Sequence, residues 1–376
     1  MPTRYAERAR GGPTQVLRID AAAEQGGGPQ AEDYPLDIVG RPSSTLLSAA
    51  LLAAVLAVLG TVLPVPMVAL GPGPTYDTLG LVGGTPVVSV DGLPSYPTSG
   101  QLNMTTVSVS DRLTFPQVLR AWVARDRQVV PRSQIFPPGK TDEEVRAENT
   151  QQLSASETNA ELAAMNELGI PTRVVVGTVV PETPAARVLE DGDELVAVAG
   201  RPVSTPVAVS EALAGTAPGQ TVRVTYRRGG LEQSTDVELG ASPDRQQGLL
   251  GVRPTVEPRS GDIRISLGDV GGPSAGLMFA LALVDKLSPG ELTGGRFVAG
   301  TGSIDTAGDV SPIGGISFKM NAARDAGATV FLVPDDNCAE ARSAAPAGLE
   351  LVRVAALGDA VRQLEALNDG EPVVWC

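Results

Sequence analysis

Between Arg41 and Asp77 the chain carries no charged residue. Within that interval "TLLSAALLAAVLAVLGTVLPVPMVAL" is apolar on every helical face, and its unbroken helical part of about 18 residues would be about 27 Å long. A soluble core helix rarely stays apolar all round over such a length, and a cleaved signal peptide rarely follows so long a front section, so a membrane span is expected over residues 45–70. Arg41 flanks the front of the span, whereas the first basic residue after it is Arg112. That asymmetry puts the N-terminus in the cytoplasm and the bulk of a single-pass protein outside the cell membrane. Residues 1–44, rich in Gly, Pro and mixed charge without an apolar period, read as a disordered cytoplasmic tail.

The remainder, in a chain of 376 residues with 42% hydrophobic content, is long enough for two or three cored domains. A formal charge of −14 with only 3% aromatic residues offers neither a basic stripe nor a stacking platform, which excludes nucleic acid as a partner. There is no histidine, so Ser/His/Asp and Cys/His catalysis, His-ligated zinc and HExxH sites are all excluded. Cys338 and Cys376 are too few for a multi-cysteine metal site, and no metal or cofactor is expected. They fit one disulfide or two inert thiols, with the extracytoplasmic placement favouring the disulfide.

Past a Gly/Pro-rich exit, residues 84–110 read as short strands with turns and 113–168 as mainly helical. From 172 to 240 the pattern changes: "TRVVVGTVV", "DELVAVAGRPV" and "QTVRVTYRRGG" alternate as strands, with a helix in "TPVAVSEALAG". The wording "PETPAARVLEDGDELVAVAGRPV" resembles a bacterial PDZ domain, over residues 165–240. PDZ domains bind peptide C-termini by strand addition and a nest of backbone amides. By position that nest falls on Leu168, Gly169 and Ile170, which equally fit a plain helix-to-strand turn.

"GDVGGPSAGLMFALALVDKL" is a glycine-rich turn leading into a strongly apolar helix, with Ser274 at the junction. Helix-start amides without internal partners would face an oxyanion forming beside Ser274, and glycines such as Gly272 let an acyl group approach the backbone. The same position also suits an ordinary N-cap serine. Although "GPSAG" fits the nucleophile elbow of α/β-hydrolases, that reading fails for want of a histidine.

Another base is required, and lysine can serve where its neutral form is favoured. The chain has three lysines against 26 arginines. Lys140 lies in a polar loop, and Lys286 falls about 18 Å along the helix that begins near Ser274. Lys319 sits between Phe318 and Met320 near the start of a helix expected over 316–326 that stops at Gly327. An apolar pocket and the positive end of a helix both disfavour its ammonium form. Lys319 also fits a surface position on an amphipathic helix.

Two segments taken together resemble the Lon-type peptidase domain: "GPSAG" opening a helix, then "TGSIDTAGDVSPIGGISFKMNAARDAGA", in which T-G-x-I precedes P-I-G-G and, three residues on, the lysine. The resemblance implies an α+β fold and peptide-bond hydrolysis through an acyl-enzyme, with Ser274 as nucleophile and Lys319 as general base and later acid. It also implies that Thr301 holds the lysine amine. Many Lon-type enzymes carry an aspartate three residues before the serine; Gly271 stands there, and Asp269 is the nearest substitute. The whole chain from about residue 45 is similar to membrane-anchored bacterial PDZ-Lon proteins. It contains no P-loop motif, so an ATP-independent protease acting on unstructured protein or peptide substrates is expected, within a possible homo-oligomer.

The strands before the PDZ-like unit, "GQLNMTTVSV" above all, resemble the opening of the Lon-type sheet. The expected order is therefore tail, span, first part of the peptidase domain (71–164), inserted PDZ domain (165–240) and catalytic part (241–376). A membrane-tethered PDZ binding protein with a degenerate Lon-like unit is the competing reading. A β-lactamase-like acyl transferase needs S-x-x-K, and no lysine here has a serine three residues before it.

Overall fold

The computed structural model describes residues 42–124, 126–242, 246–268 and 270–376. The expected tail, for residues 1–41, and Asp269 lie outside the described residues. The charge-free run forms helix α1 (Pro42–Val62), whose stretch Ser44–Val62 has a mean hydropathy of 2.3. The helix starts three residues before the expected span and is shorter at its far end. Pro64 and Pro66 explain the stop, because a residue before proline is pushed out of the α region, and residues 67–70 already belong to a strand.

Beyond it, strands β1 (Met67–Asp77) and β2 (Gln101–Ser110) pair antiparallel. Helix α2 (Phe115–Val123) and strand β3 (Gln128–Pro131) follow, β3 pairing with β1. Helix α3 (Asp142–Glu167) opens on a capping box in which Thr141 and Glu144 bond each other's backbone amides.

A six-stranded antiparallel unit follows: β4 (Thr172–Val179), β5 (Glu194–Val198), helix α4 (Pro206–Ala212), β6 (Thr221–Arg228), β7 (Leu231–Glu238) and β8 (Val252–Pro258), in spatial order β7-β6-β5-β4-β8, with the two-residue strand Arg201–Pro202 paired to β5 off this path. Its own core gathers Val174, Val176, Leu195, Val209, Val224 and Leu250. The unit thus extends past residue 240, because β8 supplies the edge strand beside β4.

The chain then returns as helix α5 (Gly276–Leu287), strand β9 (Phe297–Gly300), helix α6 (Ile316–Ala326), strands β10 (Val330–Pro334) and β11 (Glu350–Val354), and helix α7 (Leu357–Asp369). These strands complete one sheet in the order β11-β10-β9-β2-β1-β3. Strands from before and after the antiparallel unit therefore share a sheet, with β2 and β9 pairing in parallel at its centre.

"VFLV" in β10 shows why the sheet is covered on both faces. Val330 and Leu332 join the core built by α3, α5 and α7, while Phe331 and Val333 join the one built by α6. Leu162, Ala163 and Met165 of α3 belong to the first of these cores, so packing assigns that helix, through Glu167, to the large sheet. Cys338 and Cys376 form a disulfide that ties down the C-terminal residue.

Candidate active site

Two helices on opposite faces of the sheet meet just beyond the carboxyl end of β9. Ser274 lies in the turn two residues ahead of α5 rather than in its first turn. Gly272 adopts a left-handed φ of 93°, which shapes that turn at little steric cost. A Cβ on Gly276 would come within 2.8 Å of Ile304 Cγ2 and of Ser156 Oγ; only glycine lets α5 enter this closely. Lys319 lies in the first turns of α6, whose preceding Gly315 takes a left-handed φ of 71°.

Lys319 is 3% exposed although it is a lysine. Its Nζ lies 2.8 Å from the Thr105 carbonyl oxygen, 2.9 Å from Ser274 Oγ and 3.1 Å from Thr301 Oγ1. No carboxylate pairs with it among the described residues. Burial accordingly pushes its amine down to about 8.

The neutral amine satisfies all three contacts at once. Two N–H groups donate to the Thr105 carbonyl and the Thr301 hydroxyl, and the lone pair is left for the proton of Ser274 Oγ. Thr301, fully buried, donates a hydrogen bond from its own hydroxyl to the Ser274 carbonyl oxygen at 3.0 Å. Gly302 donates its amide to the same carbonyl at 2.9 Å. The T-G step thereby fixes both the lysine amine and the serine backbone.

The site opens into a cleft of about 410 Å³ lined by Tyr76, Met104, Thr106, Val107, Gly271, Gly272 and Gly314, among others. Among the described residues the Ser274 and Ala275 amides have no acceptor, so they are free to meet an anionic oxygen beside Ser274 Oγ. Gly272 is tied differently: its amide donates to the Asn149 carbonyl of α3 at 3.0 Å. A Cβ on Gly271 would lie 2.9 Å from Asn149 Cβ. The packing of α3 thus leaves no room for a side chain at position 271, where the sequence already departs from the Lon-type aspartate.

The predicted carboxylate nest is corrected by the structure. Leu168, Gly169 and Ile170 donate their amides to Ala164, Asn166 and Met165, closing the C-terminus of α3 around Gly169 in its left-handed conformation. The Leu168 and Ile170 side chains pack against the core of the large sheet. No amide of the three is left for a ligand.

A groove that the sequence reading missed lies between α4 and β8, with a volume of about 500 Å³, lined by Val209, Leu213, Leu249, Gly251 and Val252 among others. The available signal was "GLLGV", an apolar turn with glycines directly ahead of a sheet-edge strand.

Comparison with known families supports a PDZ domain followed by a Lon-type proteolytic domain. Residues 145–239 match the family described as PDZ domain, and residues 263–363 match the Lon protease (S16) C-terminal proteolytic domain. Among similar proteins, the Lon protease of Azospirillum brasilense is 32% identical over 34% of this chain and 16% of its own length. The Lon protease of Heliobacterium modesticaldum is 47% identical over 18% of this chain and 8% of its own. The matched part thus spans less than a fifth of these relatives. The crystal structure of the PDZ domain of an SdrC-like protein from Listeria monocytogenes is 26% identical, covering 21% of this chain and 84% of that one, with a TM-score of 0.20.

Proposed function

We propose that this chain is a membrane-anchored, ATP-independent serine endopeptidase working through a Ser274/Lys319 dyad. The observation that carries the reading is a buried lysine with no carboxylate partner among the described residues, its Nζ 2.9 Å from the Oγ of a serine beside a cleft. In the proposed reaction neutral Lys319 takes the Ser274 proton as Oγ attacks the scissile carbonyl. The amides of Ser274 and Ala275 receive the oxyanion, and the lysine then protonates the leaving amine. Water, deprotonated by the same amine, then attacks the acyl carbon; the ester bond to Ser274 Oγ breaks and Lys319 returns the proton to Oγ. Thr301 and the Thr105 carbonyl hold the amine; Gly272 shapes the turn and leaves the oxyanion to its neighbours.

A PDZ domain is a peptide-binding module. The groove beside β8 suits an extended chain that adds to the sheet edge, in place of the nest expected at Leu168–Ile170. The chain contains no G-x-x-x-x-G-K-[ST] segment, which favours clients that are already unstructured. Helix α1, 21 residues long and so about 31 Å, suits a single span, and the arginine asymmetry favours a cytoplasmic N-terminus.

The test is cleavage of an unfolded protein such as casein by the detergent-solubilised full chain without nucleotide. Fragments are expected from the wild type and none from Ser274→Ala. Equal cleavage by the two would remove the reading and leave the PDZ-scaffold alternative.

A further inference from the structure

Helix α2 shows an arrangement that soluble surfaces avoid. Phe115, Leu119, Trp122 and Val123 are 58%, 48%, 74% and 72% exposed. At 100° per residue these positions fall within one arc about 100° wide, while Ala121, on another face, is buried. Four large apolar side chains thus project outward from a helix of nine residues. Singly exposed apolar residues are ordinary, but a contiguous stripe marks a contact surface.

The location of α2 indicates what the stripe meets. Pro64, two residues beyond the end of α1, bridges to Thr114, the N-cap of α2, and the Val65 amide donates to the Leu113 carbonyl at 2.8 Å. The start of α2 is therefore stitched to the segment that emerges from the apolar helix. Its charge is also unlike the rest of the chain. Residues 112–127 hold four arginines and one aspartate, whereas the whole protein has a formal charge of −14.

We propose that α2 lies in the membrane–water interface as a second point of attachment, with Phe115, Leu119, Trp122 and Val123 in the acyl-chain boundary and the surrounding arginines among anionic headgroups. This rests on the reading of α1 as a membrane span. Tryptophan and phenylalanine on one face with arginine nearby is the composition that such helices use. The attachment bears on the active site, because β2 leads directly toward α2. It carries the Thr105 carbonyl that binds Lys319 Nζ and ends at Ser110, roughly 17 Å further along the strand. A docked α2 would give the cleft a second point of attachment and so fix its height and tilt over the leaflet.

The chain has two tryptophans, so Trp375→Phe leaves Trp122 as the sole reporter in the full-length protein. The protein is reconstituted into vesicles of phosphatidylcholine and phosphatidylglycerol, with or without acyl chains brominated near the glycerol end. Trp122 emission is expected to be blue-shifted, to lose intensity in the brominated vesicles and to resist quenching by acrylamide. Quenching by acrylamide with no response to brominated lipid overturns the proposal. Shielding from both quenchers also overturns it, since the stripe would then be covered by protein, such as a second copy of the chain. A companion chain carrying Leu59→Trp, near the end of the helix that leads to α2, with Trp122→Phe and Trp375→Phe, reports on α1. Quenching there by brominated lipid without quenching of Trp122 removes the α2 proposal and keeps the span, whereas quenching at neither position removes both.

Discussion

If Lys319 is the base, the acylation rate of Ser274 follows the neutral fraction of one buried amine. Burial pushes that amine down to about 8, so about one molecule in ten holds it neutral at pH 7, half at pH 8 and about nine in ten at pH 9. The second-order rate of labelling by a fluorophosphonate should therefore rise about tenfold from pH 7 to pH 9 and then level off. An ordinary lysine, near 10.4, would still be gaining about tenfold per pH unit at pH 9. In free-energy terms, neutralising the amine at pH 7 takes about 1.4 kcal/mol instead of about 4.6, so burial removes roughly 3 kcal/mol from the step. The assay is in-gel labelling of the detergent-solubilised chain across this range, with Ser274→Ala as the blank. A rise that continues past pH 10, or the same profile in Lys319→Arg, would show that Lys319 is not the base.

Other consequences can be checked alongside. Thr301→Val removes the hydroxyl that binds both Lys319 Nζ and the Ser274 carbonyl, so labelling should fall by about 10- to 100-fold at a stability loss of about 1–3 kcal/mol; Thr301→Ser should restore most of the rate. Glu161 on α3 is pushed up to about 8, by burial first and then by Glu157, Asp262 and Glu257. Its folded value lies above its unfolded one, so the stability it supports is complete below about pH 4.5 and is lost as pH rises toward 8. Glu161→Gln should then raise stability at pH 8 by on the order of 2 kcal/mol, allowing for partial exposure, and flatten that slope in denaturant titrations. Reducing the Cys338–Cys376 bridge, which closes a separation of 38 residues, should lower stability by about 4 kcal/mol on the chain-entropy account; an unchanged melting temperature with dithiothreitol would contradict that.

The legible parts of the sequence were those where one residue type has few other uses. A lysine between apolar neighbours in a chain without histidine, taken with the resemblance of two segments to the Lon-type peptidase domain, led to the atom that stands 2.9 Å from Ser274 Oγ. Gly327, at a φ of 104°, ends α6 where the sequence placed the stop. What stayed hidden depended on tertiary neighbours. "ELGIP" has the wording of an amide nest, but the same Gly169 also closes a helix, and only the hydrogen-bond partners distinguish the two. The absence of an acid at Gly271 is explained by Asn149, 122 positions earlier in the chain. Strand β8 was overlooked because its pairing partner β4 precedes it by some seventy residues, a separation that no local pattern encodes.

The most direct measurement is the titration of Lys319 itself. With three lysines in the chain, carbon-13 labelling at lysine Cε gives three resonances, and Lys319→Arg identifies the one to follow. This resonance is expected to move with a midpoint near pH 8; a midpoint near 10.4, the value of an ordinary exposed lysine, would mean that Lys319 is not the buried, neutralised base of the site.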